Sequence, residues 1–427
     1  MKTLTLTPGD RATLETKDKA WTGHILESHD SAIILLKLNS GYNIGIRESE
    51  ILHAKVLEKA KKQKSEKVKL ESKKGLPNVA MIVTGGTISA RLDPKTGGTT
   101  WTTVDDLFKI APEIQDICNI TKIERPFLKA TEDMEFNDYK KIAQLAEKLL
   151  NNQDIDGLII THGTDFLHYT AEALAFSLRN LNKPVALTYS QRSIDRGSTD
   201  AHFNLLCAAK YATSDIAEVA LIGHKDLNDQ ACLAMPATKT RKMHASRRDA
   251  FQVINDEPIA EITKDGLKIL KDFNAKNSKK VKLEASFNPN VALVKIYPGQ
   301  DPAILDFYKQ QSCKGIILEL SGLGHVQTSA GKYNWIAKIR KLIQSGMIIC
   351  GAAQTIYGGL NPKVYSNGRK LEKTGLIFLK DMLSETAFVK LAWVLGHKSW
   401  ARSKSKIREK ILENVAGEYN DKLGFKF

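Results

Sequence analysis

Residues 79–89 read VAMIVTGGTIS and residues 157–165 read GLIITHGTD. Each opens with a strand-length apolar run and closes in a loop of glycine, threonine and polar groups. A run that is apolar at every position, rather than at alternate ones, belongs to a strand covered on both faces, as in a parallel sheet flanked by helices. The same pattern recurs at 185–189 and 219–222, with helix-period segments at 138–151 and 165–181. Farther on, apolar runs at 291–297, 315–320 and 347–351 alternate with helical segments such as 333–345 and 384–395. The expected fold class is therefore α/β, with two α/β domains on parallel sheets, the second smaller. Between them, 256–290 is polar and rich in Lys and Asn, as a connector would be.

Upstream the period changes. Residues 8–54 alternate apolar and polar positions in short runs (RATLET, AWTGHILE, AIILLKL, YNIGI) punctuated by turn signals at 8–10, 29–30 and 39–41. Such spacing predicts a small antiparallel β-barrel of the SH3/Sm kind. Residues 55–74 hold nine lysines and three glutamates, hence +6 of the formal +15, and read as a tether. The expected partition is a barrel over 1–56, a Lys-rich linker over 57–76, an α/β domain over 77–270 bearing the catalytic loops, a connector over 271–287 and a smaller α/β domain over 288–427.

At 427 residues, with 42% hydrophobic and 26% charged, the chain has ordinary globular composition, and 7% aromatics offer no stacking platform for nucleic acid. The basic run 398–410 (KSWARSKSKIREK) reads as a solvated helix face. Five scattered cysteines without a CxxC pair argue against disulfides or a thiolate zinc site and predict a cytoplasmic setting. The N-terminal stretch lacks the apolar core of a signal peptide, and no run reaches the ~18 to 20 apolar residues of a membrane helix. No membrane association is expected.

In an open parallel sheet, ligands bind beyond the carboxyl ends of the strands, where helix N-termini present unpaired N–H groups. That places Gly86 and Thr87 in one loop, and Gly163, Thr164 and Asp165 in a second, at candidate binding positions. A structural use of the same residues, Thr87 capping the next turn and Asp165 opening its helix, is the plain alternative. Neither loop is a P-loop or a GxGxxG motif. A threonine hydroxyl needs a base to become a nucleophile, and no Ser-His-Asp or Cys-His set presents itself. A lysine that loses its charge by burial can serve. The segment 238–248 (TKTRKMHASRR) offers Lys239 and Lys242, and the residues alone do not choose between them; for each, a solvated charge is the ordinary expectation. His162 and His168 are six apart and there is no HExxH, so no metal site is expected, and His162 reads as a hydrogen-bonding residue of a packed loop.

TGGTIS (84–89) together with THGTD (161–165) resembles the two signature loops of the asparaginase family. The resemblance implies two asparaginase-like α/β domains and an amidase centre built from Thr87, Thr164, Asp165 and a lysine about 78 residues beyond the second threonine. Lys242 stands 78 residues after Thr164, and KMHASRRDAF (242–251) matches the family's spacing from lysine to phenylalanine, so the resemblance selects Lys242. TEDM (131–134) is similar to the family's substrate-binding motif, implying Thr131 for the substrate carboxylate and Glu132 for its amino group, with Gly86 and Gly163 lining the site. Two positions depart from the pattern. Residues 89–104 hold no tyrosine, Trp101 being the one aromatic there, and Phe166 stands where a threonine is usual.

RKMHASRRDAF (241–251), SQRSIDRGSTDAHFNL (190–205), GLGHVQTSAG (322–331), AQTIYGG (353–359), VYSNGRKL (364–371), KDMLSETAFVKLAWVLGH (380–397) and the barrel's GYNIGI (41–46) resemble one branch of that family, the D subunits of archaeal glutamyl-tRNA(Gln) amidotransferases. This implies an amidase that takes ammonia from glutamine or asparagine for conversion of Glu-tRNA(Gln) to Gln-tRNA(Gln). It implies no cofactor in this chain, ATP and Mg being used by a partner, the E subunit of the amidotransferase. It also implies tRNA contact mainly through that partner, and a homodimer of this chain within a heterotetramer. A free-standing L-asparaginase and a non-catalytic scaffold are the alternatives.

Overall fold

The strand Asn78–Val83 is covered on both faces, and alternation along it divides the core in two. Val79, Met81 and Val83 join a cluster with helix Ala201–Ala212, while Ala80 and Ile82 join one with helices Phe136–Leu150 and Leu167–Ser177. The structure, a computed structural model, describes residues 6–28, 30–40, 42–60, 72–92, 99–101 and 104–420, with only the backbone at 92, 99–101, 104 and 105. The linker core 61–71, the turn positions His29 and Gly41, and parts of the 89–104 loop lie outside the described residues.

The larger sheet has eight strands. Asn119–Glu124, Asn78–Val83, Gly157–Thr161, Val185–Thr188 and Val219–His224 lie side by side and parallel. Three antiparallel strands, Ala231–Pro236, Ala260–Thr263 and Leu267–Ile269, extend it, so this sheet is mixed where the sequence suggested a parallel one. The last two come from the polar stretch read as a connector. They finish one end of the sheet, Leu267–Ile269 as its edge and Ala260–Thr263 beside it with alternate residues buried, which the sequence writes in charged and apolar residues together.

Register decides where the chemistry falls. Val79 pairs with Gly157 and Val83 with Thr161, so the loops beginning at Thr84 and His162 leave the sheet at one level. The second α/β domain has four parallel strands, Val291–Lys295, Gly315–Leu320, Ile348–Ala353 and Ile377–Phe378. Its helix Ser384–Gly396 packs against Leu167–Ser177 of the first domain, with Phe176 and Trp393 stacked at 5.6 Å.

At the N-terminus five antiparallel strands between Arg11 and Glu58 enclose Ala12, Leu14, Ile25, Leu36 and Ile46. This small domain lies near enough to the larger one for their charges to interact. Lys37 is nearly buried there, and burial together with the Arg196 cation holds its ammonium below the usual lysine range, against the pull of Asp195. At the far end of the linker, Lys73 is tied down by its N–H to Asn119 and by its ammonium to Asp116.

Candidate active site

The two glycine loops are in contact through their backbones. Gly86 has φ +82°, and a methyl group placed on it would lie 2.2 Å from Gly163 Cα; one placed on Gly163 would meet Thr131 Cγ2 at 2.7 Å. Only glycine permits that approach. It brings Gly86, Gly163 and Thr131 together, with Thr87 and Thr164 each one residue from the contact. Thr84 donates its hydroxyl to the Thr161 carbonyl at 3.0 Å, and His162 N–H donates to the Thr188 carbonyl, so both loops are anchored where they leave the sheet.

His162 is fully buried beneath them. Its Nδ1 lies 2.8 Å from the Gly163 carbonyl, which can only accept, so Nδ1 carries the proton and Nε2 accepts from Thr170 Oγ1 at 2.9 Å. Burial holds this imidazole down at about 4, neutral, with both nitrogens in use. It fixes the loop's shape, as expected from sequence. Among the described residues no group of three His, Cys, Asp or Glu stands where it could hold a metal ion.

Lys242, at the end of strand Thr240–Lys242, reaches the second loop. Its Nζ lies 2.9 Å from Thr164 Oγ1 and 2.6 Å from Asp165 Oδ1. The lysine side chain is 11% exposed and the Asp165 side chain 62%, so the pair lies at the edge of solvent and lines, with Met243 and His244, an open cavity of about 290 Å³. Thr131 is buried, and its hydroxyl donates to Glu132 Oε2 at 3.3 Å. A larger cavity, about 550 Å³, opens at the amino ends of the strands by Ala217 and Pro236, away from both loops.

Lys239 is elsewhere. Its side chain has no exposed surface and its Nζ is 2.6 Å from Asp381 Oδ2, which also accepts from Asn420 Nδ2 at 2.9 Å. The solvated charge expected at this position is thus a buried ion pair, because the turn Ala237–Lys239 tucks under the second domain.

Three family models match the chain: Asparaginase, N-terminal over 78–274, Glutaminase/Asparaginase C-terminal domain over 290–409 and GatD N-terminal domain over 6–57. The chain is 45% identical to the glutamyl-tRNA(Gln) amidotransferase D subunit of Thermococcus kodakarensis, over 90% of this chain and 86% of that one. It belongs to the amidotransferase D-subunit family. The D subunit of Pyrococcus abyssi is 43% identical over 94% of this chain and 91% of its own. Among solved structures, the thermostable L-asparaginase of T. kodakarensis superposes with a TM-score of 0.71 at 26% identity, covering 81% of this chain and all of that one. L-asparaginase I of Vibrio cholerae gives 0.69 at 25% with the same coverage. No helix among the described residues of this D-subunit family member is long and apolar enough to cross a membrane.

The sequence singled out Asp165 and Lys242 at the cavity but passed over several buried charges. Glu172, Asp381 and Glu385 have little or no exposed surface, and Arg241 holds Glu385 at 3.1 Å. A signal for Glu172 existed: it is a carboxylate in the middle of a helix with no other acidic, Lys or Arg residue, LHYTAEALAFS. A charge in that setting has a partner or is neutral.

Proposed function

We propose that this chain is the amide-hydrolysing component of a tRNA-dependent amidotransferase. The observation that carries the reading is the 2.9 Å contact of Lys242 Nζ with Thr164 Oγ1, beside a second threonine loop packed against the first through glycine. Thr87 or Thr164 attacks the side-chain amide carbon of glutamine or asparagine while Lys242, as the base, takes the hydroxyl proton. The C–N bond breaks, ammonia leaves with a proton, and water then cleaves the acyl ester. Asp165 orients Lys242 or binds the substrate amine. N–H groups of the glycine loops stabilise the oxyanion, an effect of about 3 to 4 kcal/mol per donor. Thr131 and Glu132 hold the substrate's carboxylate and amine.

In this reading the ammonia passes to a partner, the E subunit, which uses ATP and Mg and binds Glu-tRNA(Gln); two copies of this chain sit within a heterotetramer, in the cytoplasm. The barrel over 1–56 and linker over 57–76 are the parts that distinguish it from a free asparaginase. The likeness to solved L-asparaginases favours that second reading.

An enzyme that exports ammonia wastes substrate if it runs alone, so its centre is expected to assemble fully only with the partner. Ammonia release from glutamine should be low for the isolated chain and at least ~10-fold higher with the E subunit and Glu-tRNA(Gln). Full activity of the lone chain on asparagine, unchanged by partner and tRNA, overturns the amidotransferase reading in favour of the asparaginase.

A further inference from the structure

Glu172 stands in the middle of helix Leu167–Ser177 with no exposed surface. Its Oε1 lies 2.9 Å from Thr386 Oγ1, which in turn lies 3.0 Å from the Thr238 carbonyl. Thr386 has one hydroxyl proton and two oxygen neighbours, and the Thr238 carbonyl can only accept. Were Glu172 ionised it too could only accept, leaving a short oxygen–oxygen contact with no proton of its own. As the acid, Glu172 donates to Thr386, and Thr386 donates onward to Thr238.

A second observation agrees. Glu172 Oε2 has no hydrogen-bond partner among the described residues, and a buried carboxylate with a bare oxygen is far costlier than a neutral acid whose carbonyl oxygen lacks one bond. Burial, and then the Glu385 carboxylate, push Glu172 well above the usual range, while Thr386 and Arg241 pull the other way. Arg241 is committed to Glu385, so among the described residues Glu172 has no cation of its own.

The chain of protons ends on the segment that carries Lys242. Thr238 belongs to the turn Ala237–Lys239, followed directly by strand Thr240–Lys242. Alternation along that strand turns Arg241 to the face opposite Lys242, toward Glu385 in the first turn of helix Ser384–Gly396. One helix start therefore grips the segment twice, through Thr386 on Thr238 and Glu385 on Arg241. We propose that Glu172 is a positioning residue held as the neutral acid, and that the relay from Glu172 through Thr386 to the Thr238 carbonyl fixes the segment presenting Lys242 to Thr164. This rests on the reading of Lys242 as the base.

The test uses the intact chain with its partner and charged tRNA, reading kcat and KM for ammonia release, together with infrared spectra of the protein alone. Glu172→Gln keeps a neutral donor and should stay within ~2-fold of the parent, as should Thr386→Ser, whereas Glu172→Leu and Thr386→Val should lose ~10-fold in kcat with KM nearly unchanged. At neutral pH the parent should show a protonated carboxylic-acid band that Glu172→Gln removes. Absence of that band, equal loss in Glu172→Gln and Glu172→Leu, or parental kcat in Thr386→Val overturns the proposal. Retained turnover in Lys242→Ala would sink the base assignment instead, and the infrared result would still report the state of Glu172.

Discussion

Two lysines three residues apart meet opposite surroundings. Lys239 faces Asp381, 3% exposed and closed over by Asn420, whereas Lys242 faces Asp165, 62% exposed and open to a cavity. Both lysines are largely covered, so their own burial does not separate them. The partner's exposure does: a carboxylate sealed with its lysine leaves room for no third molecule, while one at the edge of a cavity can exchange its lysine for a substrate. The comparison assigns stability to one pair and chemistry to the other.

It breaks most visibly at Lys239. Removing one member of a sealed pair strands the other charge, so Lys239→Ala should lower unfolding free energy by roughly 3 to 5 kcal/mol, read from denaturant melts. An unchanged midpoint would mean that Asp381 is not charged and that the contrast fails. Next in size is the catalytic side. Lys242→Ala, Thr164→Ala and Thr87→Ala should each cut ammonia release at least ~100-fold, since groups acting as a unit fail together, while melting like the parent. Should Lys242→Ala lose stability in place of activity, the two lysines have the same use. The smallest effect sharpens the comparison by removing a region outside both. Deleting 1–74 should leave residues 75–427 folded and shift stability by no more than about 1 kcal/mol, because a tether shares few contacts with its neighbours. Aggregation of that core would show that the small domain packs against the larger one, on the side where Lys37 feels the charges of Asp195 and Arg196.

Elements buried on both faces were legible in the sequence because nothing polar interrupts them: Gly157–Thr161 and Gly315–Leu320 fall where the apolar runs do. Edge strands such as Leu267–Ile269 were not, since one face in water dilutes the pattern to a few residues. At the site, loop positions followed from strand ends, but the choice of Lys242 came only through family spacing. Its distance to Thr164 is set by the packing of turn Ala237–Lys239 and strand Thr240–Lys242 on helix Leu167–Ser177, a contact between distant stretches that no local pattern encodes. Glu172 was written as an anomaly, a charge among apolar neighbours; its partner Thr386 is 214 residues away.

The stretch from Ala416 to Asn420 has a consequence for how the protein is made. Thr238 donates its hydroxyl to the carbonyl of Ala416, 178 residues downstream, and the Lys239–Asp381 pair is closed by Asn420. A ribosome that has just finished Lys242 has made every residue of the two threonine loops but none of the stretch that braces the segment bearing the lysine. The site is completed by residues that emerge long after its loops. A nascent or prematurely terminated chain would thus carry the threonine loops without a braced lysine, and would be spared from hydrolysing amides before there is a finished protein to use the ammonia.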